Sequence, residues 1–203
     1  NTFQVHLHGC KLGPKEVMKL WKENFTALQP EFNKFYPSRQ GVEPGEVMLI
    51  DSTVPVVPGT PGLLPVATGV MILYSDDQMF TVMTPEGHPE SGWNTFSTFE
   101  EDGVTVAQIQ SMTRATDPIY EFGLRFMGGS QMQEKTWKHV LKSLAEMVGV
   151  NTEVTMNKTL IDSSVQWSQA KNVWKNAVVR TTFYKLAAPI RWVGKRVRKS
   201  DKS

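Results

Sequence analysis

His88 and Glu90 are the strongest candidates for chemistry in this sequence. An imidazole two residues from a carboxylate, in a turn bracketed by Gly87 and Gly92 and stiffened by Pro89, has the parts of a general base and its orienting partner. The same side chains can equally stitch the loop to its own backbone, or face a ligand without reacting with it. His6, His8 and Cys10 alternate along one strand face, but strand geometry spreads such residues about 7 Å apart, which suits an open row rather than a closed metal site. Arg114 and Arg125 could hold an anionic head group, or pair with acids on neighbouring elements. The sequence has no nucleophile elbow, phosphate loop, dinucleotide fingerprint or His-Glu-x-x-His helix. No cofactor and no metal is expected.

The elements that must position these residues belong to a chain of 203 residues, 40% hydrophobic and 21% charged, enough for one globular domain with an appended element. A single cysteine excludes an internal disulfide framework. No apolar run reaches the roughly 18 residues of a spanning helix. Asn1 is preceded by neither an initiator methionine nor an apolar leader, as expected if an upstream segment has been removed. The net charge of +2 hides a split: residues 1–170 hold 12 basic against 19 acidic side chains, and residues 171–203 hold 10 against 1. An acidic body makes nucleic acid an unexpected partner, since phosphate binding needs a basic face on the folded domain.

Phe3, Val5 and Leu7 alternate with polar residues, as in a half-buried strand. After Gly13-Pro14, Val17, Leu20, Trp21, Phe25 and Leu28 fall at helical spacing, and Phe32, Phe35 and Tyr36 suggest a second short helix. Strands are expected over Glu46–Val54, Val66–Tyr74, Met79–Thr84, Trp93–Glu101 and Val104–Thr113, with a breaker-rich loop from Pro55 to Pro65. Asp102-Gly103 is a type I′ hairpin signal. Asp117-Pro118 opens a helix that Gly128-Gly129 weakens or breaks, and Gln131–Val148 carries a long apolar stripe ended by Gly149. Strands in series with helices at the ends indicate α+β.

This order resembles the helix-grip fold of the START/SRPBCC superfamily, which includes polyketide cyclases and birch-pollen-allergen-like proteins. Gly87, His88, Pro89, Glu90 and Gly92 are similar to the Gly-His-Pro-Glu-x-Gly segment of an uncharacterised bacterial family in that superfamily, while Trp93-Asn94 depart from it. The resemblance covers about residues 1–149. It implies a curved antiparallel sheet around a long C-terminal helix, with a cavity between them for a hydrophobic or amphipathic, lipid-like molecule. The expected wall residues are Met71, Met83, Trp93, Phe96, Ile109 and Met112 from the strands, Arg114 at a strand end, and Met132, Trp137 and Leu141 from the helix. Methionines, Met127 among them, would make that wall pliable, or simply fill a core. A cyclase- or dehydratase-type enzyme using His88 and Glu90 is the alternative.

Residues 1–150 are thus expected to form the ligand-binding domain, and 151–203 a connector, an amphipathic helix and a basic tail. Trp167, Ala170, Trp174, Ala177, Thr181 and Tyr184 recur at helical spacing among Lys171, Lys175 and Arg180, and Pro189 should end that helix. A basic helix with tryptophans suits an anionic membrane surface. The same stripe in 164–199 suits the protein's own body, a second subunit or another acidic partner. With the cavity filled by side chains, the basic tail would be the working part of an interaction module. A cytoplasmic protein with peripheral membrane contact is the expected setting.

Overall fold

The computed structural model describes residues 1–54, 64–126, 128–162 and 167–188, so most of the Pro55–Pro65 loop, Met127, Pro189 and the terminal basic run lie outside the described residues. Eight strands form one antiparallel sheet: β1 (Thr2–His6), β2 (Asn33–Tyr36), β3 (Val47–Val54), β4 (Leu64–Ser75), β5 (Met79–Met83), β6 (Glu90–Glu101), β7 (Val104–Ala115) and β8 (Thr155–Asn157). Their spatial order is β2-β3-β4-β5-β6-β7-β1-β8. The helices are α1 (Pro14–Asn24), α2 (Pro118–Phe126), α3 (Gly129–Met147) and α4 (Ala177–Leu186), with a 3-10 segment at Trp167–Lys175. The fold is α+β, a curved sheet closed over α3.

Local chemistry fixes the joints. Asp102 and Gly103 both have positive φ, 50° and 75°, as the type I′ turn between β6 and β7 requires. The β4–β5 turn is held by the Asp76 carboxylate, which accepts from the Gln78 and Met79 amides at 2.8 Å. Asp117 caps α2 by accepting from the amides of Ile119 and Tyr120. Gly128, at φ 79°, separates α2 from α3.

The short helix expected around Phe32–Tyr36 is strand β2 instead. Tyr36 precedes Pro37, which disfavours the helical region. Pairing of Phe35 with Ile50 turns its ring onto Phe25, edge to face at 5.7 Å. A two-residue alternation, with Phe35 inward and Tyr36 outward, outweighed the apolar spacing.

One end of the fold is solid. Phe80 and Phe96 stack at 4.5 Å, Trp21 of α1 meets both edge-on, and Phe25 closes the group at 5.3 and 5.2 Å. Val140, Leu141 and Leu144 of α3 press onto the same core beside Phe3 and Ile109, all without exposure.

The sheet is split at the other end. β5 pairs with β4 only from Met71 onward, so residues 64–70 of β4 have no β5 partner. Helix α4 lies along that opening, and the Ala67 amide donates to Thr181 Oγ1 at 3.2 Å. Its first turn is anchored by two side chains with no exposure. Asn176 accepts from the Val178 and Val179 amides, and its amide group donates to Asp117 at 2.9 Å. Two helix caps therefore bond to each other, and the Tyr120 hydroxyl accepts from Val178 N beside them.

Candidate functional site

Between the sheet and the helices at the split end lies a cavity of about 450 Å³. Its strand wall comes from inward positions of β2, β3 and β4, with Val82 of β5 and Asn94 and Phe96 of β6. Helices close it: Met132, Gln133, Thr136 and Trp137 from α3, Ile119, Tyr120, Phe122, Gly123 and Leu124 from α2, and Val178 and Val179 from α4. The wall is mostly apolar with a few polar groups, the composition of small-molecule sites.

Of the expected wall residues, Phe96, Met132 and Trp137 border the cavity. Met71, Met83, Trp93 and Met112 do not. They pair in a row across four strands, Met71 with Met83, Met83 with Trp93, and Trp93 with Met112, on the outward face. Trp93 and Met112 are 46% and 50% exposed there. Arg114 shares their parity on β7 and is exposed on that outward face, away from the cavity. Ile109 and Leu141 point inward but lie in the solid core, away from the cavity. The alternation of β7 puts Ile109 and Met112 on opposite faces, so one wall cannot contain both.

His88, on the loop that leads into β6, and Glu90, the first residue of β6, both border the cavity. The His88 imidazole bonds through Nδ1 to the backbone of Glu90, 3.1 Å from its nitrogen and 2.9 Å from its oxygen. It does not meet the carboxyl. Glu90 Oε2 accepts instead from Gln133 Nε2 of α3 at 2.6 Å. Loss of hydration pushes His88 down to about 4, with a partial offset from the Glu90 backbone, and pushes Glu90 up, with a partial offset from Thr113. His88 is therefore a neutral imidazole near pH 7, tied by one nitrogen into the loop.

The same loop seats the tail. Gly87, at φ 88°, accepts from Ala177 N at 2.8 Å, and a Cβ there would lie 2.2 Å from the Lys175 carbonyl oxygen. Lys175 pairs with Glu86 at 2.5 Å. The tail stripe is divided accordingly. Ala177 is buried and Thr181 is bonded to β4, whereas Trp167, Trp174 and Tyr184 are 71%, 78% and 66% exposed. At the opposite edge, His6 bonds Glu101 at 3.1 Å and stacks on His8.

Three residues bordering this space each carry a fully buried polar atom with no hydrogen-bond partner: an amide oxygen on Gln29 and on Asn94, and the Trp137 indole nitrogen. Asn94 was not foreseen in the sequence, because it alternates with Trp93 and a tryptophan is the expected inward residue. Helices α2 and α4 were also missed as wall elements. The Asp117 cap was legible, but its bond to Asn176 depends on contact between residues 59 positions apart.

The curved antiparallel sheet and the long helix together make a helix-grip-like fold. No family model matches the chain, and no curated protein matches it in sequence. Solved structures do. The solution structure of KanY protein (ms6282) superposes with a TM-score of 0.53 at 8% identity, covering 73% of this chain and 95% of that one. The protein TTHA0849 from Thermus thermophilus gives 0.47 at 20% identity, over 73% and 97% of the two chains. Ara h 8.0201 gives 0.45 at 14%, over 73% and 97%. At such identities the likeness concerns the fold alone.

Proposed function

We propose that this protein binds a hydrophobic or amphipathic small molecule in the cavity between the sheet and α3. The observation that carries the reading is a mostly apolar space of about 450 Å³ between the sheet and the helices. A mostly apolar wall with a few polar groups binds a hydrophobic guest and orients it. The surroundings of His88 favour binding over acid–base catalysis. Its imidazole does not meet the Glu90 carboxyl, and its pKa near 4 makes it a weak base at neutral pH.

Titration with the uncharged, polarity-sensitive dye Nile red tests this. The expected result is saturable one-to-one binding with a blue-shifted emission. Val82→Trp, which fills the space from β5, should weaken binding about tenfold or more while the protein stays folded. Unchanged dye binding by that variant would refute the cavity as the site.

Delivery at a membrane is a second part of the reading, supported by the exposure of Trp167 and Trp174 beside the exposed Lys171 and Arg180. Interfacial rings with basic neighbours are suited to an anionic bilayer. Sedimentation with phosphatidylserine-containing vesicles should capture the full chain, and raising the salt to about 0.5 M should release it. Capture by the Trp167→Ala/Trp174→Ala double variant at wild-type levels would remove this part. Among the described residues, no helix is long and apolar enough to cross a membrane.

A further inference from the structure

We infer that the gap in the sheet beside β4 is the guest's doorway, and that the first turn of α4 is the door that closes it. This rests on the cavity being the ligand site, and adds how that site is entered.

The gap has two banks. Residues 64–70 of β4, which no β5 residue pairs, form one, and the loop from Thr84 to His88 forms the other. Each bank borders two spaces. On the inside is the cavity, bordered by Thr68 of β4 and by Thr84 and His88 of the loop. On the outside is a hollow of about 240 Å³, bordered by Thr68 again and by Pro85 and Gly87. Residues 175–180 stand between the two. Asn176, Val178 and Val179 border the cavity, whereas Lys175, Ala177 and Arg180 border the hollow. The wall here is a single turn of chain. Beyond it the hollow opens to solvent, since Val47, Leu49 and Arg180 on its border are exposed.

That turn is held in a way that lets it leave. Ala177 is the one buried residue of α4, and Phe183 and Leu186 further along are exposed, so undocking uncovers little apolar surface. What holds the helix is a short set of polar bonds. Asn176 donates to Asp117 at 2.9 Å, Ala177 N to the Gly87 carbonyl at 2.8 Å, Val178 N to the Tyr120 hydroxyl at 3.1 Å, and Ala67 N to Thr181 at 3.2 Å. Water replaces most of such bonds when a segment moves out, and segments with few buried apolar contacts are the ones that open locally. Asn176 and Asp117, both without exposure, are the latch. The competing route runs past α2, where Ile119 and Phe122 border the cavity and are exposed. That helix is tied at both ends, capped by Asp117 where it leaves β7 and joined through Gly128 to α3, with Tyr120 and Glu121 buried.

Linking α4 to β3 across the outer hollow tests the inference. Leu49→Cys/Arg180→Cys in a Cys10→Ser background puts two thiols on the border of the hollow, free of the native one, for bismaleimidoethane to join. The same protein capped with N-ethylmaleimide is the reference. Stopped-flow mixing with Nile red should show dye entry slowed about tenfold or more by the link. Release should slow by a similar factor, because a gate changes both rates and not their ratio. Asn176→Ala, which frees the latch, should speed entry and release together several-fold. Entry into the linked protein as fast as into the capped one would overturn the inference and put the route at α2, and so would wild-type rates in Asn176→Ala. Failure of the wild type to bind the dye would instead bring down the cavity reading, and the inference with it.

Discussion

Asn94 and Trp93 stand in the reverse of the arrangement that hydrophobic alternation favours. The amide turns into the cavity and the indole turns out, beside Met83 and Met112. Sequence reasoning places the larger apolar residue inside, and it fails where a site needs a polar group in an apolar wall. His88 and Glu90 were legible because glycines and a proline confine them, but their roles were not. Three roles were open for the imidazole, base, loop stitch and ligand contact, and its Nδ1 bond to the Glu90 backbone fits the second. The depressed pKa of His88 carries a stability prediction. Below its unfolded value of 6.5 the unfolded chain binds the proton and the folded one does not until about 4. Stability should therefore fall as pH drops from 6.5 to about 4, by up to about 3 kcal/mol from this group. Glu90 acts in the opposite direction. Its raised pKa adds stability at low pH that is lost as pH rises above 4.5. Urea unfolding of wild type, His88→Asn and Glu90→Gln across this range separates the two. His88→Asn should flatten the acid-side loss, and an unchanged slope would contradict the assignment.

Helix α4 is held by small residues and caps, not by the aromatic stripe that marks it in the sequence. Periodicity placed Ala177 and Thr181 on one face with Trp167, Trp174 and Tyr184, and of these Ala177 is buried and Thr181 is bonded to β4. It could not show that a 3-10 segment ends at Lys175, turning Trp167 and Trp174 to solvent. The decisive joint is Asn176 against Asp117, a pair distant in sequence. Asn176→Ala removes a helix cap and leaves a buried carboxylate oxygen without its donor. The expected loss is about 2–4 kcal/mol of α4 docking, read by hydrogen exchange at the Val178, Val179 and Ala67 amides. Gly87→Ala should undock the same segment from the loop side. Its Cβ would collide with the Lys175 carbonyl, and its positive φ adds strain of roughly 1–3 kcal/mol. Protection at Ala177 unchanged from wild type would contradict either account. Strand β2 carries a parallel lesson, since four residues are too few for periodicity to choose between helix and strand, and Pro37 was the better guide.

At the scale of the molecule, the order of strands and the long helix were readable from turn signals and stripe lengths, and the sheet has the antiparallel form they imply. The division of its interior was not. Aromatic residues from α1, β5 and β6 fill one end, while the short β5 leaves β4 unpaired at the other and α2 and α4 bridge the opening. That asymmetry depends on strand lengths and long-range contacts that no local pattern encodes. It also places indoles in contrasting surroundings: Trp137 on the cavity wall, Trp93 on the outer face, Trp174 on the exposed tail. Titration of the full chain with 1-decanol, followed through the tryptophan indole N–H resonances, reads those places at once. The account predicts a saturable shift of the Trp137 resonance, with Trp93 and Trp174 unmoved. Movement of Trp93 or Trp174 while Trp137 stays fixed would show that the molecule binds its guest on the outside, and would contradict it.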